Sequence, residues 1–494
     1  MNGWMGKVLR VDLTRGDTTE VQLDADVAKD YIGGRGLGIY FLNRELDPDC
    51  EPLAPDNLLV MATGPLTGTG APTGARYMIM TKSPLTGAIT CSNAGGRFPT
   101  ELKRAGFDGL IFSGRAKRPV YLWIANGKAE LRDASHLWGR TTHATTDKLR
   151  EETDPQARVA CIGPAGERLV RFAAVMNDKD RAAGRSGVGA VMGSKNLKAV
   201  AVRGQGQVSL ADPERFKAYN QEILGRFKAA NKETPLGLTV NGTAGVVITT
   251  QHLGVLPTRN WQQGTFEGWE QIHGETLTAK YLVRGKACYA CPIGCGRITR
   301  VEDDVFGGEG EGPEYETIYA MGSNCMIDDL APIIKANYLC NELGLDTIST
   351  GMTIAFAIGV SLLVAFTLTP MLSSRWLRPR ELESDKTSRE VGIYAAVERS
   401  YLRLLDWAMA HRWAVVLVAV LVVDLEATTV GDGAHRVGTR IVGRVGQHRR
   451  DRLGHPVELA GRATEPLREG GVLVVGDVLG VPAVPQAHAV CGLA

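Results

Sequence analysis

Three thiols fall within eight residues at Cys288-Tyr289-Ala290-Cys291-Pro292-Ile293-Gly294-Cys295, and no other feature restricts the chain so tightly. With the spacing C-x2-C-x3-C, three thiolates on one loop can grip three corners of an iron–sulfur cube, a fourth ligand coming from elsewhere. Pro292 and Gly294 let the backbone curl around such a group. Zinc also takes clustered cysteines, and a loop without metal is the third reading. The remaining cysteines, Cys50, Cys91, Cys161, Cys325, Cys340 and Cys491, are scattered and read mostly as small buried apolar residues. The start, Met1-Asn2-Gly3-Trp4-Met5-Gly6-Lys7, has no apolar run behind a basic cap, so a cytoplasmic address with reduced thiols is expected.

Glycine supplies the second constraint. There are 59 among 494 residues, well above the usual share of about 7%. Gly64-Pro65-Leu66-Thr67-Gly68-Thr69-Gly70-Ala71-Pro72-Thr73-Gly74-Ala75-Arg76 ends in an arginine, and the segment from Arg181 to Gly189 carries Arg181 and Arg185 among Gly184, Gly187 and Gly189. Exposed backbone N–H groups beside guanidinium forks hold phosphate well. Neither segment fits the dinucleotide fingerprint or the P-loop, and each also reads as an ordinary glycine-rich turn. Gly33-Gly34-Arg35-Gly36-Leu37-Gly38 is a weaker third case. A net charge of +2 with dispersed basic residues speaks against nucleic acid as a partner.

The expected fold class is α+β. Residues 1–205 read as a β-rich domain, with alternating runs at Lys7–Leu13, Thr18–Leu23, Asn57–Ala62, Arg76–Thr81, Gly109–Ser113, Val120–Ala125 and Ala199–Arg203 separated by glycine and proline. Asp212-Pro213-Glu214 looks like a helix start, and residues 206–357 read as a mainly helical domain interrupted by the cysteine loop. From Thr347 to Ser374 no charged residue occurs, and 352–372 is apolar enough to cross a bilayer, with Arg375, Arg378 and Arg380 behind it. A buried helix is the other reading of that run. After Asp424 the chain has no Lys, Asn, Ser, Met, Phe, Tyr or Trp. So narrow an alphabet reads as an unstructured low-complexity tail, or as translation of a wrong reading frame.

Taken in order, these pieces resemble the aldehyde ferredoxin oxidoreductase family over residues 1–357. The matching stretches are Gly6–Leu13, Gly33–Gly38, Thr81–Gly87, Ser92-Asn93-Ala94-Gly95-Gly96, Ala183–Lys198, the cysteine loop, Gly312-Pro313-Glu314-Tyr315-Glu316 and Asn341–Thr347. The resemblance implies a β-rich platform for two pterins holding tungsten or molybdenum, with a magnesium bridging their phosphates. Arg76, Asn93, Gly95, Arg181, Ala182, Gly184 and Arg185 would then contact pterin or phosphate. Cys288, Cys291 and Cys295 would hold a [4Fe–4S] cluster. The family pattern D-x-x-G-L-[CD], which touches one pterin, here reads Asn341-x-x-Gly344-Leu345-Asp346. Asn341 can hydrogen-bond a pterin amide but lacks a carboxylate's charge. Glu314 would sit near the metal as a proton acceptor, a capping or ion-pairing carboxylate being its alternative. The implied reaction is oxidation of an aldehyde to a carboxylic acid, electrons leaving through the cluster to ferredoxin, in a homodimer.

The same resemblance implies a third, helical domain that brings the fourth cluster cysteine, a second pterin motif and a histidine near the metal. None of these is recognisable after residue 357, so the expectation is an enzyme by family whose 494 residues do not turn over. Instead, 358–423 resembles membrane segments of resistance–nodulation–division efflux transporters, on Val360–Leu372 with Arg375-Trp376-Leu377 and on Leu402–Val423. Membrane contact follows only if 352–372 inserts. The expected boundaries are therefore 1–205, 206–357, 358–423 and a tail at 424–494.

Overall fold

The computed structural model describes residues 1–233 and 237–376. Two six-stranded sheets make up the first part. One orders its strands β2-β1-β6-β3-β4-β5, from β1 (Lys7–Asp12), β2 (Asp17–Gln22), β3 (Leu59–Thr63), β4 (Tyr77–Lys82), β5 (Ile89–Ala94) and β6 (Gly109–Ser113). The other runs β11-β10-β9-β12-β7-β8, from β7 (Val120–Ala125), β8 (Lys128–Asp133), β9 (Arg158–Cys161), β10 (Val175–Asn177), β11 (Arg181–Ala183) and β12 (Leu197–Arg203). In these two sheets β1 with β6 and β7 with β12 pair in parallel and the other strand pairs are antiparallel.

Side-chain alternation explains how the sheets bury two faces. Leu9 and Val11 of β1, with Leu59 and Met61 of β3, enter a core shared with Leu122, Ile124, Val200 and Val202 of the second sheet. Val8, Val60 and Ala62 point the other way, onto the helix Arg35–Glu45. Gly38 in that helix is a packing glycine, since a Cβ there would meet Met80 Sδ. Within the Gly33–Gly38 repeat, Gly36 instead clears the Tyr31 backbone, so the repeat serves close packing of this helix. The expected hairpin turns at Gly16, with φ of 77°, and pairs Asp12 with Asp17.

Asp212 begins the helix Pro213–Glu233 by accepting from Arg215 N at 2.9 Å. Further helices follow, but the region also carries a sheet absent from the sequence reading: β13 (Leu282–Lys286), β14 (Gly296–Val301) and β15 (Gly308–Glu311), all antiparallel. The cysteine loop joins β13 to β14.

The transmembrane-like segment expected at 352–372 is not supported. No helix among the described residues is long and apolar enough to cross a membrane. The segment belongs to the helix Thr347–Trp376, which passes residue 358 without a break. Its first turns are held by protein: Cys325 Sγ donates to Gly351 O at 3.5 Å, and Trp261 Nε1 lies 3.0 Å from Met352 Sδ. A Cβ at Gly351 would strike the Ala320 backbone at 2.5 Å, so the helices touch there. Hydropathy alone does not separate such packing from lipid. Residues 377–494, which include most of the transporter-like stretch and the whole tail, lie outside the described residues.

Lys195 gives a pH-dependent test of the first domain. It is fully buried, and its Nζ donates to Pro55 O and Gly114 O at 3.0 and 3.1 Å. Burial, helped by nearby Arg115, pushes its pKa from 10.5 down to about 8. Between those values the unfolded chain holds a proton that the folded chain has released, so stability rises with pH across this window. Unfolding of the wild type compared with Lys195→Met should show that rise only in the wild type, by about 1 kcal/mol per pH unit.

Candidate active site

The turn after β5 is where the first domain meets the cysteine loop. Gly95 and Gly96 follow Ala94, and Gly96 has φ of 96°. Gly96 N donates to Cys288 Sγ at 3.2 Å, and Tyr289 N donates to Gly96 O at 3.1 Å. A Cβ on Gly95 would sit 2.9 Å from Cys288 Sγ, so only glycine allows the sulfur this close. The loop itself curls through left-handed positions at Ala290 (50°) and Gly294 (61°), and Cys291 N donates to Cys288 O at 3.2 Å. Burial raises the Cys295 thiol pKa; Glu314, Cys288 and Cys291 add to the rise while Arg181 opposes it. Among the described residues no three His, Cys, Asp or Glu side chains gather as ligands of one ion.

Arg181, on β11, faces the same turn: a Cβ at Gly96 would lie 3.4 Å from Arg181 Cγ. Its guanidinium pairs closely with Glu311 of β15 and stands 3.5 Å from Glu314 Oε1. Burial works against its charge, yet Glu311 and Glu314 hold its pKa above the ordinary value. Lys286 of β13 reaches Asp180 Oδ2 at 2.5 Å and Glu311 Oε2 at 3.0 Å. Burial raises the Glu311 pKa, with Arg181 and Lys286 pulling the other way. Glu314 precedes the helix Tyr315–Met321, and its carbonyl accepts from Thr317 N and Ile318 N at 3.0 Å. Thr243 Oγ1 donates to the second Glu314 oxygen. Glu314 is therefore a helix-start residue whose carboxylate is oriented by an arginine and a hydroxyl, and its side chain remains about 35% exposed.

The other expected residues fall into two groups. Arg76 Nε donates to Asn93 Oδ1 at 2.5 Å beside Gly95. On the far side, Arg185 Nη1 lies 3.8 Å from Asp346 Oδ2, and a Cβ at Gly184 would meet Asp346 Oδ1 at 3.3 Å. Asp346 is fixed by Ser349, whose Oγ and N donate to it at 2.6 and 3.1 Å. Ala182 is exposed on β11 between the groups. Leu345 bridges to Ala173. Asn341 is buried, and its carbonyl accepts from Thr142 Oγ1 at 2.6 Å; the structure brings Asp346 to the arginine loop. Asp180, Thr243, Lys286 and Glu311 were not singled out from the sequence. Glu311 had one available signal, its place directly before the Gly312–Glu316 motif.

A two-sheet platform with clustered arginines and glycines, joined to a three-cysteine loop and an oriented carboxylate, has the parts of a redox-cofactor oxidoreductase. Comparison with known proteins gives the same class. Residues 8–204 match the family model for the aldehyde ferredoxin oxidoreductase N-terminal domain, and residues 218–363 match that for its domains 2 and 3. Over these residues the chain belongs to the aldehyde ferredoxin oxidoreductase family. It is 50% identical over 361 residues to the tungsten-containing aldehyde ferredoxin oxidoreductase of Pyrococcus furiosus, a match covering 72% of this chain and 58% of that relative. The chain therefore spans rather more than half the length of this relative. Among solved structures, the active site complex BamBC of benzoyl coenzyme A reductase, bound to 1,5-dienoyl-CoA, aligns with a TM-score of 0.64 and 30% identity, over 79% of this chain and 58% of that one. Residues 348–442 match the AcrB/AcrD/AcrF family. There the chain is 36% identical over 69 residues to the multidrug resistance protein MdtC of Yersinia pestis, 7% of whose length is covered.

Proposed function

We propose that residues 1–357 form the pterin- and cluster-holding part of an enzyme that oxidises an aldehyde to a carboxylic acid. The observation that carries this reading is the Gly95–Gly96 turn, which packs Cys288 on one side and Arg181 on the other. Pterin site and cluster site then share one short segment. The donor set fits such groups. Arg181 Nη2 and both Glu311 oxygens are buried and ion-paired but lack an aligned hydrogen-bond partner, and the glycine at 95 lets the Cys288 sulfur and Arg76 approach the same turn.

In this reading Arg76, Asn93, Arg181 and Arg185 hold phosphate and pterin edges, and Gly95, Ala182 and Gly184 keep the backbone open to them. Asn341, Leu345 and Asp346 would touch one pterin, and a magnesium ion would bridge the pterin phosphates. Cys288, Cys291 and Cys295 bind three corners of a [4Fe–4S] cluster. In such a cluster each cysteine would hold a different iron, so the three sulfurs would not need to converge on one point. A tungsten- or molybdenum-pterin bound there would supply two-electron chemistry, and a cluster on the loop would supply one-electron transfer toward a ferredoxin-class acceptor. An aldehyde and a water give a carboxylic acid, two electrons and two protons. Glu314 accepts a proton at the oxygen facing Arg181, while Thr243 keeps the carboxylate in place.

We also propose that residues 1–494 do not turn over aldehyde by themselves. After residue 363 the sequence order of the family gives way to transporter-like sequence, and that stretch offers no recognisable fourth cysteine or second pterin motif. Anaerobic expression with tungstate or molybdate, followed by pterin release and assay of aldehyde-dependent viologen reduction, checks both statements. Bound pterin without dye reduction is expected. Dye reduction would refute the second proposal, and a chain free of pterin and metal would refute the first.

A further inference from the structure

A cavity of about 190 Å³ adjoins the cysteine loop at Tyr289, and neither Arg76 nor Arg185 lines it. The helix Phe98–Arg104, the strand ends at Arg158 and Arg203, and Tyr289 line it. Its charge is not balanced. The carboxylate of Glu101 is taken by Arg203 Nη1 at 2.7 Å and Gly204 N at 3.0 Å. Arg158 stands 3.8 Å from Asp178, which already accepts from Arg150 at 2.7 Å. Arg104 donates to the Tyr289 hydroxyl at 2.9 Å, a neutral partner. The Arg97 guanidinium makes no hydrogen bond or ion pair among the described residues. Thr100 is 2% exposed, and its Oγ1 has no hydrogen-bond partner.

Two guanidiniums without a carboxylate, a third that shares Asp178 with Arg150, a buried hydroxyl with a free donor, and a tyrosine O–H whose proton is uncommitted surround one space. Such a set attracts and orients a tetrahedral oxyanion. A second cavity of about 340 Å³ shares Arg104 and Arg203 and runs along Gly204–Gln207, which leaves room for an organic group attached to the anion.

We propose that this cavity is a phosphate-class anion site, separate from the pterin platform, which takes inorganic phosphate or the phosphate of a small ester. Through Tyr289 its occupant braces the cysteine loop. Side chains of this chain alone line the site, whether or not the loop binds a cluster.

Phosphate titration of the full chain by calorimetry tests it. Arg97→Gln removes a guanidinium that holds nothing else, and Thr100→Val removes an unpaired hydroxyl at constant shape. Each should weaken one class of phosphate site by about tenfold, with Thr100→Val keeping or raising the melting temperature. Arg185→Gln should leave that class unchanged. If glycerol 3-phosphate binds more tightly than phosphate, the occupant is an ester; if it binds more weakly, the free ion. Either result retains the site. Phosphate affinity that is unaltered in both Arg97→Gln and Thr100→Val, or that disappears only in Arg185→Gln, would overturn it.

Discussion

Arg181→Leu is expected to destabilise the cofactor-free chain by about 3 kcal/mol, the low end for breaking a buried ion pair. The loss comes from Glu311, whose side chain is 5% exposed and keeps only Lys286 once the guanidinium is gone. Arg181 also connects β11 of the first domain to β15 of the small sheet, so part of the loss should appear as local opening of the cysteine loop. Urea unfolding gives the total. Glu311→Leu combined with Arg181→Leu should cost much less than the two single changes added together, because no charge is then left unpaired. Additive costs would mean that the pair contributes no coupling. Hydrogen exchange at Cys288–Gly296 should rise in Arg181→Leu before the exchange of β3 does.

An effect of about 4 kcal/mol is expected from Asp108→Ala. Lys103 and Asp108 are both fully buried and meet at 2.6 Å. Asp108 also accepts from Met5 N at 3.0 Å and Gly6 N at 2.7 Å, and Lys103 donates to Gly3 O at 2.9 Å. The pair therefore fastens the first residues of the chain to the first sheet. Alanine would leave two N–H groups and an ammonium without their acceptor. Burial already lowers the Lys103 pKa, with Asp108 resisting, so in the variant it falls further. The unfolded state then holds the extra proton up to its ordinary value near 10.4. Stability of Asp108→Ala should accordingly rise with pH over that interval and recover part of the deficit. Asp108→Asn, which keeps an acceptor, should cost less at every pH.

These two networks differ in how readable they were. The long strands of the first domain announce themselves by alternation, as in Lys7-Val8-Leu9-Arg10-Val11-Asp12, and by the continuous apolar run of β12 that both faces bury. The strands β9, β10 and β11 have only four, three and three residues, too few for a period to show. Strand β5 reads Ile89-Thr90-Cys91-Ser92-Asn93-Ala94, polar because it ends at the candidate site. The helix Arg35–Glu45 has glycines where a helix usually loses stability; Gly38 is explained by Met80 of the sheet packed against it and Gly36 by the close backbone of Tyr31.

The site divides in the same way. The cysteine spacing and the arginine–glycine segments are local patterns, visible as strings. The pairing of Asp180 with Lys286 spans 106 residues, and that of Arg181 with Glu311 likewise joins separate elements, so neither leaves a local trace. Hydropathy separated the apolar run after Thr347 from its surroundings, but its packing on Ala320, Cys325 and Trp261 is tertiary information.

The shared redox centre is tested most directly by anaerobic reconstitution of the full chain with iron, sulfide and excess small thiol, which can occupy the fourth corner of a cube. About four irons per chain are predicted, with uptake lost in Cys288→Ser and weakened in Gly95→Ala, where the added methyl displaces the sulfur. Tightly bound zinc with no iron uptake, or iron that stays after all three cysteines of the loop are replaced by serine, would contradict it.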